Sequence, residues 1–121
     1  MQTIIPITRR PDITFHASGL INISSRIARI LGLTTESCIN IAKEKGEYLL
    51  FAVDYGSMIG NHTCRCYPVN AGSRYFRANS VRLCRAILEA CGASGRAALM
   101  CGEAVTINGK TYLPVITRTT L

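Results

Sequence analysis

The order of apolar and polar residues predicts two strands, a short helix and two more strands in the first half of the chain. Residues 13–23 (ITFHASGLINI) hold two short apolar runs on either side of Ala-Ser-Gly, which is typical of a β-hairpin. The predicted helix has apolar residues at i, i+3 and i+4, a capping serine at Ser24 or Ser25, and Gly32 at its end. Residues 38–53 (CINIAKEKGEYLLFAV) predict two strands around a charged turn.

The same plan returns after residues 55–61, which follow no period and serve as a linker. TCRCYPV and RYFRA predict two strands, and Asn79 or Ser80 can cap the helix that follows. ALMCGEAVTI and KTYLPVIT predict the last two strands, joined at Asn108-Gly109, a pair that favours a type I′ turn. Pro114 places the last strand at a sheet edge, where its missing amide does little harm.

The two predicted helices also share a sequence echo, SSRIARIL at 24–31 and SVRLCRAIL at 80–88. Each copy carries two arginines three positions apart, on one side of the helix beside its apolar stripe. We therefore predict an α+β fold of two pseudo-repeated ββαββ halves, with about eight strands and two helices that share one core. The expected boundaries are 1–121 for the single domain, 12–54 and 62–118 for the halves, and 55–61 for the linker.

The charge of the chain predicts a polyanionic partner. The net charge is +7, and 11 of the 14 basic residues are arginine, whose planar donors suit phosphate groups and guanine edges. Up to Asp54 there are six basic and five acidic residues, whereas eight basic and two acidic residues follow. The field that would attract a polyanion is therefore concentrated in the second half.

The composition also narrows the class of protein. Nearly half of the residues are apolar, which argues against a disordered chain. No apolar run approaches the roughly 20 residues that span a bilayer, and the charges of MQTIIPITRRPD follow its apolar stretch, unlike those of a signal peptide. We expect a cytoplasmic protein whose six cysteines are reduced and buried.

Little in the sequence favours metal binding or catalysis. His62, Cys64 and Cys66 are metal-capable, but their spacing is not the two-residue separation usual for zinc, and alternation on a buried strand also explains them. The acidic residues are scattered, and there is no glycine-rich phosphate loop, HExxH or GxSxG. We expect no enzymatic activity and no cofactor, with structural zinc as the less favoured alternative.

The stretch SGLINISSRIARILGLTTESCINIAKEKGEYLLF resembles the AbrB/SpoVT swapped-hairpin family of DNA-binding proteins. Two parts carry the match, namely the hairpin residues Gly19, Ile21 and Ile23 and the helix end Leu31-Gly32-Leu33. The chain departs from the family at Leu20, where arginine is usual, and at Ser24, where proline is usual. The resemblance implies DNA binding by two such units, normally from two chains, that interlock within one chain.

The order of elements is also similar to that of the Whirly and Pur-alpha single-strand-binding folds, shifted by two strands. That likeness implies a curved sheet on which unstacked bases lie against aromatic rings between basic side chains. The residues that would suit it are Tyr67, Tyr75 and Phe76 beside Arg65, Arg74 and Arg77. Since Tyr75 and Phe76 are adjacent on a strand, they must face opposite ways, and one of them is expected in the core.

Together these patterns predict a non-enzymatic, regulatory DNA-binding protein, with duplex DNA slightly favoured over a single strand. The alternatives are a single-strand-binding protein and an adaptor whose arginines contact an acidic protein; sheet edges are the expected route to a homodimer. Clustered arginines without intervening acids favour phosphate contacts, and the basic arm before Pro11 suits a groove. The predicted nucleic-acid contacts are Arg9, Arg10, Arg26, Arg29, Arg65, Arg74, Tyr75, Arg77, Arg82 and Arg85.

Overall fold

The computed structural model describes residues 10–54 and 64–118, which form an α+β fold of two helices and nine strands in two sheets. The predicted linker 55–61 lies outside the described residues, as does His62. Neither helix in the described ranges is long and apolar enough to cross a membrane. The elements are β1 Ile13–His16, β2 Leu20–Ile23, α1 Ser25–Leu31, β3 Ser37–Glu44, β4 Glu47–Asp54, β5 Tyr67–Pro68, β6 Phe76–Asn79, α2 Val81–Cys91, β7 Arg96–Leu99, β8 Val105–Ile107 and β9 Lys110–Val115.

Both helices begin after the serines that the sequence echo repeats. The hydroxyl of Ser24 accepts a hydrogen bond from the Ile27 amide at 3.3 Å, and that of Ser80 accepts from the Leu83 amide at 3.1 Å. Each helix then ends at a glycine in the left-handed conformation. The repeated serines are therefore N-caps that satisfy an otherwise unpaired amide of the first turn.

Strands of the two halves pair with each other in both sheets. The five-stranded sheet has the order β5-β6-β2-β1-β7, and the four-stranded sheet the order β3-β4-β9-β8. Corresponding strands meet at β2–β6 and at β4–β9, where Leu50 pairs with Leu113. Isolated bridges Cys38–Arg65 and Cys101–Val115 connect the two sheets. Because every sheet mixes both halves, the halves share one core, as predicted.

The ninth strand arises because the predicted strand ALMCGEAVTI is broken between Leu99 and Val105. β7 pairs with β1, whereas β8 pairs with β9. Between them the Cys101 amide donates to the Asp12 carboxylate at 2.8 Å, and the Gly102 amide donates to the Pro114 carbonyl at 2.8 Å. The chain leaves one sheet and joins the other at this point.

The prediction that Pro114 lies in an edge strand is wrong, since β9 lies between β4 and β8. In an antiparallel strand, the nitrogen and the carbonyl of one residue point the same way. The Pro114 carbonyl accepts from Gly102, so its nitrogen also faces residues 100–102 and not the β4 partner Leu49. The ladder between β4 and β9 therefore loses no hydrogen bond to the proline.

Candidate nucleic-acid interface

The outer face of the five-stranded sheet presents a row of polar and aromatic side chains. Tyr67 pairs with Arg77, Arg77 with Asn22, and Asn22 with Thr14, so the four side chains lie side by side across four strands. Their neighbours along the strands point inward and are buried, among them Phe15, Ile21 and Ala78. On the outer face itself, Thr14 is also buried.

A cleft of about 730 Å³ lies over this face, and we call it the sheet cleft. It brings the predicted contacts Arg10 and Arg26 from the first half together with Tyr75 and Arg77 from the second. Tyr75 is 48% exposed. Its neighbour Phe76 packs against the core and also lines the sheet cleft. The sheet cleft therefore combines cations with an accessible aromatic ring.

A second pocket of about 420 Å³, the helix pocket, adjoins the sheet cleft. Arg29 of α1 and Arg74 of the turn between β5 and β6 line it, so two more predicted contacts converge here. Three residues line both spaces, so the two spaces adjoin; they are Ser25, Ser73 and Phe76.

In the part of the chain that the structure describes, five arginines and one carboxylate, that of Asp12, line the combined surface. Asp12 is 4% exposed and accepts from Arg26 Nη1 at 2.9 Å as well as from the Cys101 amide. Arg26 is therefore fixed by an ion pair. Within residues 10–54 and 64–118, no acidic group forms an ion pair with the other four arginines, which are Arg10, Arg29, Arg74 and Arg77. Their charge is available to a polyanion.

The remaining predicted contacts lie elsewhere. The Arg65 guanidinium donates to the Thr35 carbonyl at 3.1 Å and contacts Glu36 at 3.5 Å. Arg82 lines a separate pocket between α2 and β3, and Arg85 is exposed on α2 without lining the sheet cleft or the helix pocket. Arg9 lies outside the described residues. The structure therefore divides the second-half arginines into two groups.

The surface exists beside α1 because the two hairpin turns differ in length. Each turn approaches the helix of the other half. The turn at residues 17–19 closes on α2, where the Gly19 carbonyl accepts from the Ser80 amide at 2.8 Å, and a Cβ on Gly19 would lie 2.9 Å from Val81 Cγ2. The turn at residues 69–75 is longer and lines the sheet cleft and the helix pocket beside α1.

Sequence reasoning missed several residues that shape this surface. Asp12 follows the basic arm, and its role depends on Cys101, a partner 89 positions away. Asn22 could have been found, because a polar residue between the apolar Ile21 and Ile23 marks the outer face of a strand. For Ser25 and Ser73 the sequence carries no comparable signal.

The cysteines of the described residues are structural in character. All six are free thiols. Burial raises the pKa of Cys64, Cys66 and Cys101 to about 12, so these thiols stay protonated at neutral pH. Among the described residues, no three histidine, cysteine or acidic side chains are grouped closely enough to hold a metal ion.

Comparison of the chain with protein-family models, with curated proteins and with solved structures finds no match.

Proposed function

We propose that this protein binds single-stranded nucleic acid, without catalysis, along the sheet cleft. The observation that carries the proposal is the exposed ring of Tyr75 beside Arg77, on a sheet face flanked by further arginines. Stacking of a base on an aromatic ring contributes about 1–3 kcal/mol, and arginines supply the sequence-independent attraction to phosphates.

The shape of the surface favours a single strand over a duplex. A duplex keeps its bases stacked inside and presents a convex phosphate surface, which gives an exposed tyrosine ring no base face to contact. The duplex alternative, which the AbrB/SpoVT resemblance motivates, draws on both helix arginine pairs. Arg82 and Arg85, however, lie apart from Arg29, and Arg26 is already paired with Asp12.

Among the described residues, the one carboxylate that lines the surface is not suited to act as a general base. Asp12 accepts from both Arg26 and the Cys101 amide and is almost completely buried. We therefore propose binding and not catalysis as the function of this surface. A gene-regulatory role and a homodimer through sheet edges stay predictions, as does the cytoplasmic location.

Fluorescence anisotropy with a labelled single-stranded oligonucleotide and the matched duplex tests the proposal. If Arg10, Arg29, Arg74 and Arg77 each contact one phosphate, the salt slope is about −0.7 per contact, and affinity for the single strand falls about 50-fold between 50 and 200 mM salt. We expect the duplex to bind more weakly. Binding that ignores salt, or that is tighter for the duplex, would contradict the proposal.

Competition between two polyanions distinguishes the proposal from the adaptor alternative. If the surface is built for an acidic partner protein, it binds by charge alone, and heparin and a single-stranded oligonucleotide of equal charge should displace one another equally. Stacking on Tyr75 predicts instead that the oligonucleotide binds more tightly than heparin at high salt, where phosphate contacts are screened.

A further inference from the structure

We infer that the helix pocket holds one unstacked base of the bound strand, with its phosphate between Arg29 and Arg74. This inference rests on the proposed function and adds a second subsite to it. Three features carry it, namely an apolar floor, two arginines without acidic partners among the described residues, and a boundary shared with the sheet cleft.

The floor of the helix pocket suits the flat, weakly polar face of a base. Ala28 and Leu33 are buried core residues, 5% and 8% exposed, and the half-buried ring of Phe76 lies beside them. Ser25 lines the same pocket, and its hydroxyl can hydrogen-bond to the edge of a base. The Ser73 hydroxyl instead holds its own turn, since it donates to the Tyr75 carbonyl at 3.3 Å and accepts from the Tyr75 amide at 3.1 Å. At about 420 Å³, the pocket is near the lower end of the size range for small-molecule sites.

The two arginines come from different halves of the chain and reach the pocket from different elements. Arg29 lies in the last turn of α1, where its positive charge also interacts favourably with the helix dipole. Arg74 lies in a turn and has no such structural role. A phosphate between the two guanidinium groups would receive charge-assisted hydrogen bonds from both.

The boundary that the helix pocket shares with the sheet cleft gives the strand a path. Ser25, Ser73 and Phe76 line both spaces, so a base on Tyr75 in the sheet cleft and a base in the helix pocket would belong to neighbouring nucleotides. The minimal ligand would then be a dinucleotide rather than a single base.

The sequence echo supplies a matched control for the test. Arg85 occupies on α2 the position that Arg29 occupies on α1, and it does not line the helix pocket. Arg29→Ala with Arg74→Ala should weaken binding of a single-stranded oligonucleotide at least tenfold, because two charge-assisted contacts are lost. Arg85→Ala should change it less than twofold. Arg74→Ala alone, in an exposed turn outside the core, keeps the test valid if the double variant does not fold.

Methyl NMR of the wild-type protein locates the base. A dinucleotide should shift the methyl signals of Ala28 and Leu33, and inorganic phosphate at the same concentration should leave them unchanged. Equal shifts with phosphate alone, or shifts with neither ligand while the oligonucleotide still binds, would overturn the subsite and leave the proposed function intact. A wild-type protein that binds no oligonucleotide would instead refute the proposed function, and the subsite with it.

Discussion

Asp12 links three parts of the fold, and its replacement should therefore be costly. Its carboxylate accepts from Arg26 of α1 at 2.9 Å and from the Cys101 amide at 2.8 Å, in the segment that joins the two sheets. The Asp12 side chain is 5% exposed, whereas that of Arg26 is 52% exposed. The bond to Cys101 is thus the buried one, and the ion pair is partly in water.

The two contacts predict different costs for two substitutions. Asp12→Ala leaves the Cys101 amide without an acceptor in a residue that is 7% exposed, which costs about 1–3 kcal/mol. Loss of the half-exposed ion pair adds up to about 1 kcal/mol. We expect a decrease in the free energy of unfolding of about 1–4 kcal/mol for Asp12→Ala. Asp12→Asn keeps an oxygen for Cys101 and should cost about 1 kcal/mol.

Urea denaturation followed by circular dichroism measures both costs. With an m-value of about 2 kcal/mol per molar urea, Asp12→Ala should lower the midpoint by about 0.5–2 M. Arg26→Ala isolates the ion pair and should cost no more than about 1 kcal/mol. Equal losses for Asp12→Ala and Asp12→Asn would refute the reasoning, because they would show that the charge, and not the Cys101 hydrogen bond, stabilises this junction.

Three further predictions concern the core and the turns. In the native protein Cys64, Cys66 and Cys101 keep thiol protons that the unfolded chain loses above the ordinary pKa of 9.0, so the free energy of unfolding should fall as pH rises from about 9 toward 12. Urea titrations at pH 8 and pH 10.5 measure this free energy, and an increase would contradict the prediction. Gly19→Ala should lower the melting temperature more than Gly72→Ala, because both glycines have positive φ but only at the first would the new Cβ meet Val81; equal losses would show that the contact is harmless. Leu50→Ala and Leu113→Ala should each cost about 2–5 kcal/mol by calorimetry, and the double variant less than their sum, since these fully buried partners share one cavity; strict additivity would contradict this.

Local signals in the sequence were sufficient to predict most elements. The serines that begin each helix, the glycines that end it and the Asn108-Gly109 turn act through neighbours a few residues away. Asn108 and Gly109 both have positive φ, as a type I′ turn requires. These elements were predictable because their hydrogen bonds are local.

Features set by distant partners were not predictable in the same way. The break after Leu99 depends on Asp12 and Pro114. Their oxygens accept hydrogen bonds from the amides of Cys101 and Gly102, respectively. The candidate site depends on the approach of the turn at residues 69–75 to α1. Charge counting placed the binding face in the second half, but the structure groups Arg74 and Arg77 with arginines of the first half.

The most direct test of the central claim is an amide NMR titration of the full chain with a single-stranded oligonucleotide. We predict that the largest shifts map to Asn22, Tyr75 and Arg77 on the sheet cleft and saturate at one strand per chain. The largest shifts at Arg82 and Arg85 of α2, with the sheet cleft unchanged, would contradict the account.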